Sequence, residues 1–285
     1  MKKKTIILVA SLLLGNLLPR LALAQDPVQL EKVGESVYLI KGGKGSNGGL
    51  IIGDKGVLVI DAKMDSISVA QTLEEIQKLA NQPVHYLANT HSDGDHVWGN
   101  QYFPENTIIV AHENCRQEFF HPKRDGSPSG WDAPTLLPFV PAITFRDKMD
   151  LFLGNKKVEL WYFGVGHTKG DAVVYVPDEK IVFVGDLVFT SRPQLIHSYK
   201  GGNSFEYLAT TTKMLETLDI VKICSGHSEV LDRQAMTNQM GKMKEYHEKI
   251  KAMIDGGKNL EEIKSNFGEN EARLVETIYN EITNP

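Results

Sequence analysis

Four side chains able to bind a metal stand within six residues at His91-Ser92-Asp93-Gly94-Asp95-His96. Two imidazoles and two carboxylates packed into one turn would repel and desolvate one another if buried alone, so the grouping makes chemical sense around a cation. Asp, Gly and Ser are also ordinary turn formers, and a polar surface turn is the competing reading of the hexapeptide by itself. The residues before it show where it sits. Val84-His85-Tyr86-Leu87-Ala88 reads as a strand and Asn89-Thr90 as its polar exit, which puts the hexapeptide at a strand's C-terminal end, a common ligand position in α/β proteins.

Three further segments end an apolar run in a glycine followed by a polar residue: Gly164-Val165-Gly166-His167-Thr168, Val184-Gly185-Asp186 and Ser225-Gly226-His227. Glycine there suits close approach of backbone to a buried site. Each segment alone is weak. Together with the hexapeptide they supply four histidines and three aspartates, enough for two metal ions with positions left open for solvent. Such a pair activates water near neutral pH for attack on a carbonyl or phosphoryl centre.

With these motifs in this order, the sequence resembles the metallo-β-lactamase superfamily, whose pattern is H-x-H-x-D-H, then a His, a bridging Asp and a final His. The resemblance covers about residues 33–232 and extends to the strand Val57-Leu58-Val59-Ile60-Asp61-Ala62-Lys63 before the first helix. It implies an α/β fold, a four-layer αββα sandwich, with two divalent metal ions. His91, Asp93 and His167 would hold the first ion, Asp95, His96 and His227 the second, and Asp186 would bridge them. Asp95 would also orient the nucleophile and shuttle its proton, which makes it the candidate catalytic residue.

One departure matters. Asp93 stands where the family has its second histidine. A carboxylate in place of imidazole hardens the first site, adds negative charge and lowers the metal's Lewis acidity, so iron or manganese becomes admissible where zinc is otherwise expected. The flavodiiron proteins of the same superfamily carry a glutamate here, together with a flavodoxin domain for which this chain has no room.

The elements that must position these groups follow from pattern. Residues 36–41, 50–53 and 57–61 are β-rich runs separated by glycines and read as an antiparallel N-terminal sheet. The loop 42–49 between them lacks phosphate-cradle spacing and reads as a mobile hairpin loop. Ile67, Ala70, Leu73, Ile76 and Leu79 recur at three- and four-residue steps, which predicts an amphipathic helix over 66–80. Short helices are expected at 98–103 and 112–120, and a strand at 107–111. Residues 121–143 are rich in Pro and Gly and form a long loop, in which Trp131 and Phe139 serve either as pocket walls or as anchors. Strands are predicted at 157–162, 173–176, 181–184 and 221–224, and a helix at 205–218. From Arg233 the chain is helical and charged, broken at Gly256-Gly257, and is expected to cover one edge of the sheet.

The other histidines, His85, His112, His121, His197 and His247, read as structural. Of these only His197, with Arg192, Tyr199 and Lys200 around it, follows Asp186 closely enough to meet the anionic end of a substrate. No other substrate-binding residue stands out.

At the start, Lys2-Lys3-Lys4, an apolar run over 5–14 and Leu21-Ala22-Leu23-Ala24 form the three regions of a secretory signal peptide cut after Ala24. That leaves residues 25–285 as one metallo-β-lactamase-fold domain with a C-terminal helical extension, periplasmic or secreted and without a stable membrane anchor. Removing 1–24 takes away four basic residues and no acids, moving the formal charge from 31 − 36 = −5 to 27 − 36 = −9. So acidic a protein is a poor binder of nucleic acid, and its partner is expected to be a small-molecule substrate. Oligomeric state is not written in the sequence. Cys115 and Cys224 are the only cysteines; a disulfide is open to an exported protein, but Cys224 lies in an apolar run and reads as a buried small hydrophobe.

The function expected is therefore an exported metal-dependent hydrolase acting on an ester, thioester, lactone or lactam. The alternatives are a β-lactamase proper, a non-haem iron enzyme handling oxygen or sulfur compounds, and a non-catalytic metal-binding accessory protein.

Overall fold

Strands β1 (Gln29–Lys32), β2 (Val37–Lys41), β3 (Gly48–Ile52), β4 (Val57–Ile60), β5 (Val84–Asn89), β6 (Ile108–His112) and β7 (Ile143–Phe145) form one sheet in sequence order. Pairing is antiparallel as far as β4 and parallel from β4 to β7. A second sheet has the order β12 (Lys222–Cys224), β11 (Ile181–Phe183), β10 (Val173–Val176), β9 (Lys157–Trp161), β8 (Lys148–Phe152), and only its β11–β12 pair is parallel. The computed structural model describes residues 26–284, so the expected leader lies outside the described residues.

Two-residue periodicity sorts each strand's side chains between layers. On β4, Leu58 and Ile60 enter the core between the sheets, while Val57 and Val59 face outward onto helix α1 (Ser66–Leu79). On β10, Val174 and Val176 join the same inter-sheet core, and Val173 and Tyr175 face the opposite way. There they meet α4 (Ser204–Thr217), α5 (Arg233–Asp255), α6 (Leu260–Lys264) and α7 (Ala272–Thr283) through Tyr207, Met214, Met236, Met243, Ile263 and Ile278. The result is the expected αββα sandwich. The C-terminal helices cover the outer face of the second sheet, not an edge, because their apolar side chains share one core with the outward-facing Val173, Tyr175, Val182 and Ile223 of β10–β12.

Several expectations change. β1, β7 and β8 were not predicted. The loop 42–49 is tied down: the buried Lys63 ammonium donates to the carbonyls of Gly42 at 2.7 Å and Ser46 at 2.6 Å, and Ser46 N donates to the Asp95 carbonyl at 3.1 Å. Cys115 and Cys224 are free and buried, Cys224 between the sheets and Cys115 beside Phe119 and Trp131. Trp131 packs edge-on against Trp98 and Phe119, at ring distances of 5.0 and 4.9 Å. Among the described residues no helix is long and apolar enough to cross a membrane.

The topology brings the site together. β4 and β5 run parallel, and so do β9, β11 and β12. The C-terminal ends of both groups meet at one rim, delivering Asp61, the hexapeptide, His167, Asp186 and His227 to the same place.

Candidate metal centre

The hexapeptide leaves β5 at Thr90, and Asp93, its side chain free of any capping bond, directly precedes the short helix α2 (Gly94–Val97), which carries Asp95 and His96. His167 comes from the loop between β9 and β10, Asp186 follows β11, and His227 follows β12. Two of these turns need glycine for space. A Cβ at Gly226 would lie 2.6 Å from both Asp186 Oδ1 and His96 Cε1, and one at Gly185, whose φ is +51°, would lie 2.5 Å from Thr90 Oγ1.

All seven side chains singled out in the sequence converge, in two groups. Ligand atoms of His91, Asp93, His167 and Asp186 lie within 4.8 Å of one another, and so do those of Asp95, His96 and His227. Asp186 faces both groups. Its Oδ1 is 3.1 Å from His96 Nε2 and 3.4 Å from His227 Nε2, and its Oδ2 is 3.9 Å from His91 Nε2 and 3.8 Å from His167 Nε2.

The outer hydrogen bonds fix which nitrogen each imidazole offers. The His96 Nδ1–H donates to Asp61 Oδ2 at 2.8 Å, and the His167 Nδ1–H donates to the Leu195 carbonyl at 2.8 Å, because a carboxylate and a carbonyl only accept. Thr90 Oγ1 gives its proton to Asp61 at 2.8 Å, so it accepts the Nδ1–H of His91 at 3.0 Å. All three rings therefore turn Nε2 inward, and in the neutral form that nitrogen offers its lone pair to the site, the arrangement found around metal-ligating histidines. His91 Nε2, His96 Nε2 and Asp186 Oδ1 are buried with no hydrogen-bond partner. Orphaned polar atoms of this kind, on His91 and Asp186 in one group and on His96 in the other, fit bound cations.

Electrostatics agree. Burial alone would raise Asp93 and Asp186, but the surrounding histidines outweigh it and hold both carboxyls well below the usual range. Burial likewise opposes protonation of His167 and His227, yet Asp93 and Asp186 carry them up to about 9. Protons and cations compete for the same nitrogens.

Sequence reasoning missed the supporting groups. Asp61, at the positive φ of 58°, accepts from Thr90 N at 2.8 Å in addition to its bonds to His96 and Thr90 Oγ1. Gln194 Nε2 donates to the Asp186 carbonyl at 2.7 Å. Asp171 holds the His167 turn through Thr168 N and Oγ1 at 2.9 and 2.7 Å. A buried acid closing an apolar strand was the available signal for Asp61. His197 and Lys200, expected to meet a substrate, turn to Asp93 instead: His197 Nδ1 is 3.2 Å and Lys200 Nζ 2.7 Å from Asp93 Oδ1. Arg192 lies over the ring of Phe189, 4.1 Å from its centroid, and Phe189 stacks on His227.

A cavity of about 300 Å³ opens beside Asp93 and Asp95, walled by Trp98, Phe119, Trp131 and Tyr199. Trp131 is thus both anchor and wall, whereas Phe139 packs against the core beneath the first sheet and against the Trp98–Trp131 cluster as an anchor. Glu118 lines the same cavity, is pushed up to about 7 by burial, and accepts from Ser92 Oγ at 2.6 Å. Larger cavities against α5 contain none of the seven candidate ligands.

The sequence profile of the metallo-beta-lactamase superfamily matches residues 42–227, which span the site from the glycine loop to His227. The chain belongs to the metallo-β-lactamase superfamily. It is 26% identical over 200 residues to the metallo-beta-lactamase type 2 of Bacillus cereus, covering 70% of this chain and 73% of that one. It is 28% identical over 142 residues to the 2,4-dinitroanisole O-demethylase subunit alpha of Nocardioides sp. (strain JS1661), covering 49% of this chain and 40% of that one. Among solved structures, a metallo-beta-lactamase from Pontibacter korlensis superposes with a TM-score of 0.64 at 18% identity, covering 76% of this chain and 99% of that one. The names of these relatives thus point to different reactions, and chemistry must be argued from the site.

Proposed function

We propose that the chain is an exported metallohydrolase that uses two divalent cations, zinc in first place, to open an ester, thioester, lactone or lactam in a small-molecule substrate. The observation that carries this reading is the gathering of ligand atoms into two adjacent groups in which His91 Nε2, His96 Nε2 and Asp186 Oδ1 are buried and without hydrogen-bond partners. His91, Asp93 and His167 would hold one ion, Asp95, His96 and His227 the other, and Asp186, with one oxygen toward each trio, would join them. Two such cations supply an acidified water and a polarised electrophile.

The chain's own residues do the rest. Asp61, Thr90 and the Leu195 carbonyl keep three imidazoles in the ligating tautomer. Asp95, whose side chain is 34% exposed at the cavity, can take a proton from water and return it to the leaving group. Trp98, Phe119 and Trp131 offer an apolar wall to the acyl or leaving group. The n-, h- and cleavage regions within residues 2–24 support export, and the acidic charge speaks against a nucleic-acid substrate.

Stripping the protein with a chelator should abolish turnover on a panel of esters, thioesters, lactones and a chromogenic cephalosporin, and zinc should restore it. Asp95→Asn should lower kcat by about 10²–10⁴-fold with the thermal midpoint little changed. Full activity in stripped, metal-free protein would sink the proposal. A β-lactamase proper is the second reading, favoured by the Bacillus cereus relative, and turnover confined to the cephalosporin would select it.

A further inference from the structure

Asp93 is the one ligand that departs from the family's histidine pattern, and its two oxygens serve different partners. Oδ2 points into the site, 3.0 Å from His167 Nε2 and 3.7 Å from His91 Nε2. Oδ1 meets the Lys200 ammonium at 2.7 Å, while His197 Nδ1 sits 3.2 Å from Oδ1 and 3.1 Å from Oδ2. Lys200 Nζ has two more acceptors, the Ser92 carbonyl at 3.1 Å and Ser92 Oγ at 2.9 Å. Ser92 Oγ spends its own proton on Glu118, so toward Lys200 it can only accept. Three acceptors around one nitrogen use all three N–H bonds of an ammonium ion. Lys200 is therefore a fixed cation with no N–H left for a substrate.

Resting on the two-cation reading above, we propose that Asp93 and Lys200 together replace one neutral histidine: Asp93 Oδ2 is the ligand, and Lys200 is a positioning residue that holds Oδ1 and cancels the added charge. A carboxylate of −1 beside an ammonium of +1 sums to zero, the charge of a neutral imidazole. The first site then keeps the electrostatic character of a three-histidine site. The substitution at Asp93 no longer favours iron or manganese, because the hardening expected of an unpaired carboxylate is offset about 3 Å away by an opposite charge in a low-dielectric setting.

The test is a charge-swap cycle on the full chain, stripped of metal and titrated with zinc and manganese against a competing chelator. The readouts are the zinc-to-manganese affinity ratio and the metal stoichiometry. Lys200→Met leaves an uncancelled carboxylate, and the ratio at the first site should fall about tenfold or more; Lys200→Arg keeps the charge and should stay near wild type. Asp93→His alone places a histidine beside an uncancelled cation and should weaken first-site zinc about 10–100-fold. Asp93→His combined with Lys200→Met should restore it, and this double variant decides the matter by itself if Lys200→Met fails to fold. An unchanged ratio in folded Lys200→Met, or a double variant no better than Asp93→His, overturns the proposal. Failure of the wild-type protein to bind two divalent ions would instead overturn the reading on which it rests.

Discussion

Replacing Asp61 by Asn tests whether the imidazole tautomers are set from outside the site. Asparagine keeps the size of the side chain and tolerates the left-handed φ of 58° at this position, so the backbone should be unaffected. Asp61 accepts three protons, from Thr90 N, Thr90 Oγ1 and His96 Nδ1. The amide offers one oxygen and one NH₂, so in either orientation an N–H faces a donor. With nitrogen at the Oδ2 position, His96 must turn its Nε2–H into the proposed metal site and would be lost as a ligand. With nitrogen at the Oδ1 position, the amide pushes against Thr90 N, at the residue whose hydroxyl orients His91. Loss of an outer-shell partner typically costs 10–100-fold in metal affinity, or about 1.4–2.8 kcal/mol. The metal-free fold should also lose about 1.5–3 kcal/mol for one charge-assisted bond. Competition titration with zinc gives the first number, denaturant unfolding the second, and long-range nitrogen–proton NMR correlations report the His96 tautomer. Two zinc ions bound with wild-type affinity would refute the reasoning.

Two further outcomes follow from geometry and from charge. Gly226→Ala should lower bound zinc below two per chain by driving a methyl into Asp186 and His96, whereas Gly94→Ala, whose added Cβ meets nothing within 4 Å, should keep both ions; elemental analysis of the two variants separates them. His247, stacked on Phe205 at 3.9 Å and 2.8 Å from Ser204 Oγ, is held down to about 4 by burial. Its neutral form is the one the fold accommodates, so its contribution, up to about 3 kcal/mol, is present above the ordinary histidine range near 6.5 and is lost as pH falls toward about 4. The difference between thermal midpoints of wild type and His247→Gln should therefore shrink across that interval; a constant difference would count against it.

The metal-capable side chains were legible because their chemistry lies in residue type and in placement after apolar strands. Glycines at 185 and 226 were legible for the same reason, since their space requirement is local. What holds the site was not. Leu195 acts through its carbonyl, which any residue would supply, and Lys200 meets Asp93 across 107 positions of chain. The missed strands share a physical cause. β1 is an exposed polar edge, β7 has three residues, and β8 alternates Lys148, Asp150 and Phe152 outward with only Met149 and Leu151 half-buried. Amphipathic periodicity announced the C-terminal helices, but period alone cannot tell a sheet's face from its edge.

The seven candidate ligands divide along the chain. His91, Asp93, Asp95 and His96 precede the exposed turn at Asp125-Gly126, and His167, Asp186 and His227 follow it. A polypeptide cut at that turn would leave neither piece with a complete set of donors, while β7 of one piece would still pair with β6 of the other. Divalent ions would then join the pieces. On the two-cation reading, the affinity of the two pieces for each other should rise with metal and fall with chelator.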